Sequence, residues 1–161
     1  MTTESGVDLA WLAALRRYFA VSVTANFAWE VVQIPLYTLW TTGTQDEIAF
    51  AVVHCTGGDA LIATATLMLA MLAFGRGWPA SNSAVRRVAA ATIALGLAYT
   101  VYSEWLNVMV RKTWAYSAAM PTLPLVDTGL SPLAQWLVVP ALALWYARPR
   151  PRRQPRAFTD R

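Results

Sequence analysis

The sequence predicts an all-α polytopic membrane protein: a four-helix transmembrane bundle preceded by a short N-terminal interfacial helix. Three observations carry this expectation. Apolar residues fill 57% of the chain and charged residues only 14%, against about 25% charged in an ordinary soluble domain. Four segments are long and apolar enough to cross a hydrocarbon core of roughly 30 Å, and they leave no room for a separate soluble domain. The basic residues sit at the ends of these segments, so the net charge of +4 points to membrane topology and not to a nucleic-acid partner.

From the N-terminus, about residues 6–15 place Leu9, Leu12 and Ala13 at helical spacing beside Trp11 and the Arg16/Arg17 pair, the pattern of a helix lying in the interface. The first span covers about residues 19–40. It reads as an uncleaved span because its apolar run outlasts a signal peptide and carries Asn26 and Glu30. Tyr37 and Trp40 mark its headgroup end. Pro35 lacks the N–H that would bond Val31 and is expected to kink it.

Thr44-Gln45-Asp46-Glu47 has the form of a capping box that opens the second span, about residues 48–74. The third span, about residues 85–110, has Ser83 as its expected N-cap. Residues 112–130 then carry Trp114, Tyr116, Met120, Pro121 and Pro124, and a connection this aromatic is expected to fold as a lid. The fourth span, about residues 131–146, opens with Ser131 as N-cap and Pro132 at the first helical position. Residues 1–147 thus form a single transmembrane domain, and the basic, proline-rich residues 148–161 are expected to be a disordered cytoplasmic tail.

All basic residues except Arg111 and Lys112 fall on one side of the four spans. By the positive-inside rule that side is cytoplasmic, with both termini there, in a plasma membrane or bacterial inner membrane. Cys55 is the only cysteine, which excludes an intramolecular disulfide and a Cys-rich metal site.

Ionisable residues inside spans are rare and costly, yet this chain has several. Asn26, Glu30, Gln33 and Tyr37 follow one another at i, i+4, i+7 and i+11, a single narrow stripe. Thr100, Glu104, Asn107 and Arg111 repeat those offsets on the third span, and the two stripes are expected to face each other. His54 and Asp59 of the second span lie about 140° apart on an ideal helix, so both point inward only if Gly57-Gly58 distorts it. Gln135 comes from the fourth span. Counted at about 1.5 Å per residue, Glu30, Asp59, Glu104 and Gln135 share one level in the outer half of the core.

Three functions fit this pattern. The first is an acid–base membrane enzyme acting on an apolar lipid or isoprenoid-like substrate without a cofactor. Glu30, Glu104, His54 and Asp59 would be its catalytic groups, and Asn26, Gln33, Tyr37, Asn107, Arg111 and Gln135 its substrate-binding groups. The second is a cation or metal binding or transport component with a divalent metal at Glu30, His54, Asp59 and Glu104. In the third the polar residues only hold the helices together, at about 0.6 kcal/mol per interhelical hydrogen bond. The partners expected are the lipid bilayer, a lipid-like small molecule and a second copy of the chain. Arg111 lies too far along its helix to pair with Glu104, so Asp127 or Asp59 is its expected counter-ion. Trp29, Trp105, Trp114 and Trp136 are expected to be packing or interface anchors, and Gly57, Gly58 and Gly96 close-packing points between helices.

Overall fold

A computed structural model describes residues 4–148, so the tail expected to be disordered lies, from residue 149 on, outside the described residues. Helix α1 (Glu4–Gln33) runs unbroken from the amphipathic start into the first span. No glycine or proline interrupts residues 7–33, and the buried positions Ala14, Tyr18 and Ser22 continue directly into Asn26 and Glu30. The stretch read as an interfacial helix is therefore not a separate element.

Pro35 ends α1, where a kink was expected. Ile34–Leu36 form a 3₁₀ turn with the proline in its first positions, and Tyr37 is extended at φ −111° and ψ 149°. Its backbone pairs with Tyr116 in an isolated antiparallel bridge. On either side Thr38 N donates to Ala115 O and Ser117 N to Leu36 O, both at 2.9 Å. The connection that follows the third span thus bonds the backbone just past the end of α1, and Ser117 Oγ also donates to Pro35 O at 3.3 Å.

A short helix α2 (Leu39–Thr42) leads to α3 (Gln45–Phe74). The capping box forms: Glu47 N donates to Thr44 Oγ1 at 3.3 Å and Thr44 N to Glu47 Oε2 at 2.8 Å. Helix α4 (Asn82–Glu104) widens into a π turn over Trp105–Val110. Ser81 holds its N-cap position in place of Ser83, and the two hydroxyls lie 2.9 Å apart. The connection that follows contains a small antiparallel pair, β1 (Thr122–Leu123) and β2 (Thr128–Gly129). Helix α5 (Leu130–Ala147) starts from Gly129, two residues earlier than the Ser131 cap would set, and keeps Pro132 in its first turn.

Around the bundle the order is α1, α3, α4, α5, so α1 and α4 stand diagonally and each packs on α3 and α5. Toward the start of α1 and the end of α5 the interior is apolar, built from Tyr18, Leu67, Trp78, Val88 and Leu144. Gly96 is the tight point between α4 and α5, where a Cβ would run into the indole of Trp136. Gly57 and Gly58 meet nothing of the kind, since a Cβ at either faces open space; they are not packing points.

The segments Ala10–Leu36, Gln45–Phe74, Asn82–Val110 and Leu130–Ala147 are each long and apolar enough to cross a membrane. Their outward faces are apolar too, with Leu72 83% and Val32 79% exposed.

Candidate functional site

The buried stripe of α1 delivers Asn26, Glu30 and Gln33 to the interior, and α3 and α5 bring Asp59 and Gln135 to meet them. Gln135 is the hub. Its Nε2 lies 3.0 Å from Asn26 Oδ1, 3.2 Å from Glu30 Oε1 and 2.8 Å from Asp59 Oδ2, so two amide protons serve three acceptors. Gln33 Nε2 donates to Glu30 Oε1 at 2.7 Å and to Gln135 Oε1 at 3.3 Å. Ser131 Oγ donates to Gln33 Oε1 at 2.9 Å and accepts from Trp29 Nε1 at 3.2 Å. That bond is the reason Ser131 does not cap α5. Trp29, read from the sequence as an anchor, closes the outer end of this chain of hydrogen bonds.

Glu30 and Asp59 therefore accept from one nitrogen. The shared donor brings the two carboxyls together at one point of the wall. Glu30 Oε2 and Asp59 Oδ1 stay outside the amide network.

Glu104 stands on the opposite wall, because α1 and α4 are diagonal. The two polar stripes face each other across a gap and do not touch. The partner of Glu104 comes from the lid: the Tyr116 hydroxyl donates to Glu104 Oε2 and accepts from Gly129 N at 2.9 Å. Trp114 Nε1 is buried beside the same carboxyl without hydrogen-bond geometry to any partner. Tyr37 packs its ring on Tyr116 at a centroid distance of 5.6 Å, and its hydroxyl has no hydrogen bond among the described residues. Burial, reinforced by Glu104, raises both phenols above the ordinary tyrosine range. Both remain protonated donors at neutral pH.

Between these walls lies a cavity of about 820 Å³, within the range of small-molecule sites. Glu30, Asp59 and Gln135 line one side, and Glu104, Trp114 and Asn107 line another. Its exposed lining residues are Asp46, Glu47, Phe50 and His54 of α3, Tyr99 of α4 and Thr113 of the connection after α4, so the mouth opens along α3, toward α4 and the lid. No lysine or arginine lines it.

Of the residues singled out from the sequence, Glu30, Gln33, Tyr37, His54, Asp59, Glu104, Asn107 and Gln135 all line the cavity. Asn26 supports its wall from behind. With α3 continuous through Gly57-Gly58, Asp59 takes the inward position and His54 turns out to the mouth, its ring stacked on Phe50 at 5.3 Å. Asn107 is largely committed to the π turn, donating to Ser103 O at 2.9 Å and accepting from Thr113 Oγ1 at 3.1 Å. Arg111 is not part of the cavity. Its side chain is exposed, and among the described residues it pairs with neither Asp127 nor Asp59. The sequence reading missed the site roles of Trp114, Tyr116 and Ser131, which follow no helical period.

Among the described residues, no three of the His, Cys, Asp and Glu side chains converge as a metal-binding group. Comparison of the chain with protein-family models, curated proteins and solved structures gives no match.

Proposed function

We propose that the protein is a membrane enzyme that moves protons on an apolar lipid or isoprenoid-like substrate, the carboxyls of this cavity serving as acid and base. The observation that supports the reading is the placement of three carboxyls around one empty volume with no cation in its wall. A polar network that merely joins helices needs no cavity beside it, and ionisable groups within spans are functional candidates by default.

The Glu30–Asp59 pair, brought together and oriented by Gln135, suits the acid when one of its carboxyls carries a proton. Glu104 on the facing wall, held by Tyr116, suits the base. On a carbon–carbon double bond the acid adds its proton at one carbon while Glu104 removes one from a neighbouring carbon. The double bond shifts, and atoms and charge balance without an oxidant or cofactor. Exchange with water through the mouth resets the two sites.

The test compares lipid extracts of cells producing the parent chain with those producing Glu30→Gln, Asp59→Asn and Glu104→Gln. A lipid species should be depleted and an isomer of equal mass should accumulate with the parent only, while the variants insert and unfold as the parent does. Identical extracts from the parent and well-folded variants would reduce the cluster to a structural role.

The same reading places the bundle across a plasma or bacterial inner membrane, termini cytoplasmic and lid outside, on the distribution of basic residues. In a Cys55→Ala background, Thr42→Cys and Thr122→Cys should react with an impermeant thiol reagent on intact cells and Ala80→Cys should not. The reverse pattern would put the cavity on the cytoplasmic side.

A further inference from the structure

A second hollow of about 360 Å³ runs down the outside of the bundle between α3 and α4, lined by Leu61, Ile62, Ala65, Leu69, Leu95 and Tyr99, with Thr66 beside them. Ile62 and Tyr99 line both volumes, so the groove adjoins the cavity across these two side chains. The groove is mainly apolar: the Thr66 hydroxyl is turned back onto Ile62 O at 2.8 Å, and the Tyr99 phenol is the other polar group along it. From Ile62 to Leu69 it follows about 10 Å of helix.

The two volumes differ sharply in chemistry. The inner wall offers carboxyl oxygens of Glu30, Asp59 and Glu104, with Asp46 and Glu47 farther out and no lysine or arginine anywhere. An anionic head group would enter against those carboxyls with no counter-ion. A head that carries N–H or O–H donors would meet acceptors that the amide network leaves open, notably Glu30 Oε2 and Asp59 Oδ1.

We infer that the ligand is a single-chain amphiphile with a non-anionic, hydrogen-bond-donating head, an amine or a hydroxyl, whose apolar chain lies in the α3–α4 groove while the head reaches Glu30 and Asp59. This rests on reading the cavity as a ligand site, and it adds the substrate class and the direction of entry.

The experiment uses the full chain in lipid nanodiscs and three probes of equal chain length, each with a diazirine at mid-chain: hexadecylamine, hexadecanol and, at a pH where it is ionised, hexadecanoate. After irradiation, labelled residues are mapped by mass spectrometry. Labelling by the amine or the alcohol should concentrate on Leu61, Leu69 and Leu95, and the hexadecanoate probe should label these far less. Ala65→Trp, which fills the groove from an outward-facing position, should cut that labelling about tenfold, equivalent to roughly 1.4 kcal/mol, with thermal unfolding unchanged.

Equal labelling by hexadecanoate, labelling spread evenly around the apolar belt, or indifference to Ala65→Trp would each overturn the inference. The readout is binding alone. Proton chemistry that persists with the wrong labelling pattern would sink the groove and leave the enzyme reading standing, and correct labelling without chemistry would do the opposite.

Discussion

Gln135 shows what a single side chain decides here. One amide joins α5 to α1 and α3 and satisfies Asn26, Glu30 and Asp59 together. Gln135→Leu keeps the volume but removes both donors, leaving buried acceptors unpaired at about 1–3 kcal/mol each. The variant should unfold at clearly lower temperature or denaturant concentration than the parent in detergent, a change readable by circular dichroism. Unchanged stability would mean that the carboxyls find other partners. The stripe Asn26, Glu30, Gln33 was legible from its spacing alone, because a helix of 3.6 residues per turn places those offsets on one face. The centrality of Gln135 was not. It depends on α5 lying beside α1 and near Asp59 at the right height, and no periodicity within α5 encodes that. Tyr116 was hidden for the same reason: its contact with Glu104 is made by a turn in an irregular segment.

Local chemistry fixed some elements and neighbours fixed others. The capping box at Thr44 formed as read because both partners belong to the same turn. Ser131 looked equally like a cap, yet its hydroxyl is drawn to Gln33 on another helix, and the start of α5 moves back to Gly129. Pro35 was expected to bend a continuing helix. Where the helix ends instead, Leu36 O and Thr38 N find backbone partners in the lid, which offsets part of the hydrogen bonding given up. The glycines separate in the same way. Gly96→Ala places a methyl against the Trp136 indole and should destabilise the bundle by about 1–3 kcal/mol through overpacking. Gly57→Ala meets open space and should leave stability unchanged or raise it by up to about 1 kcal/mol from helix propensity. Equal losses at both positions in an unfolding titration would show that α4 and α5 do not meet at Gly96.

At the scale of the whole molecule, four helices place an apolar interior at the end where α1 starts and α5 finishes, and a polar, hollow one at the end closed by the lid. The four long apolar helices and the convergence of Asn26, Glu30, Asp59 and Gln135 at one height were legible, since hydropathy and residue rise are properties of each segment alone. The bundle order was not, and it separates the two stripes across a diagonal and so makes room for a cavity. The proposed chemistry follows from that separation, with a pair of carboxyls bridged by Gln135 on one wall and Glu104 on the other. Proton transfer to carbon leaves a direct trace when the solvent is heavy water. Membranes containing the parent chain, incubated in D₂O with a total lipid extract, should yield a lipid species that carries non-exchangeable, carbon-bound deuterium. Membranes with Glu104→Gln or the Glu30→Gln, Asp59→Asn double variant, inserted to the same level, should yield none above background. Carbon-bound deuterium at parent level in those variants, or none with the parent itself across the whole extract, would contradict acid–base catalysis by this cavity.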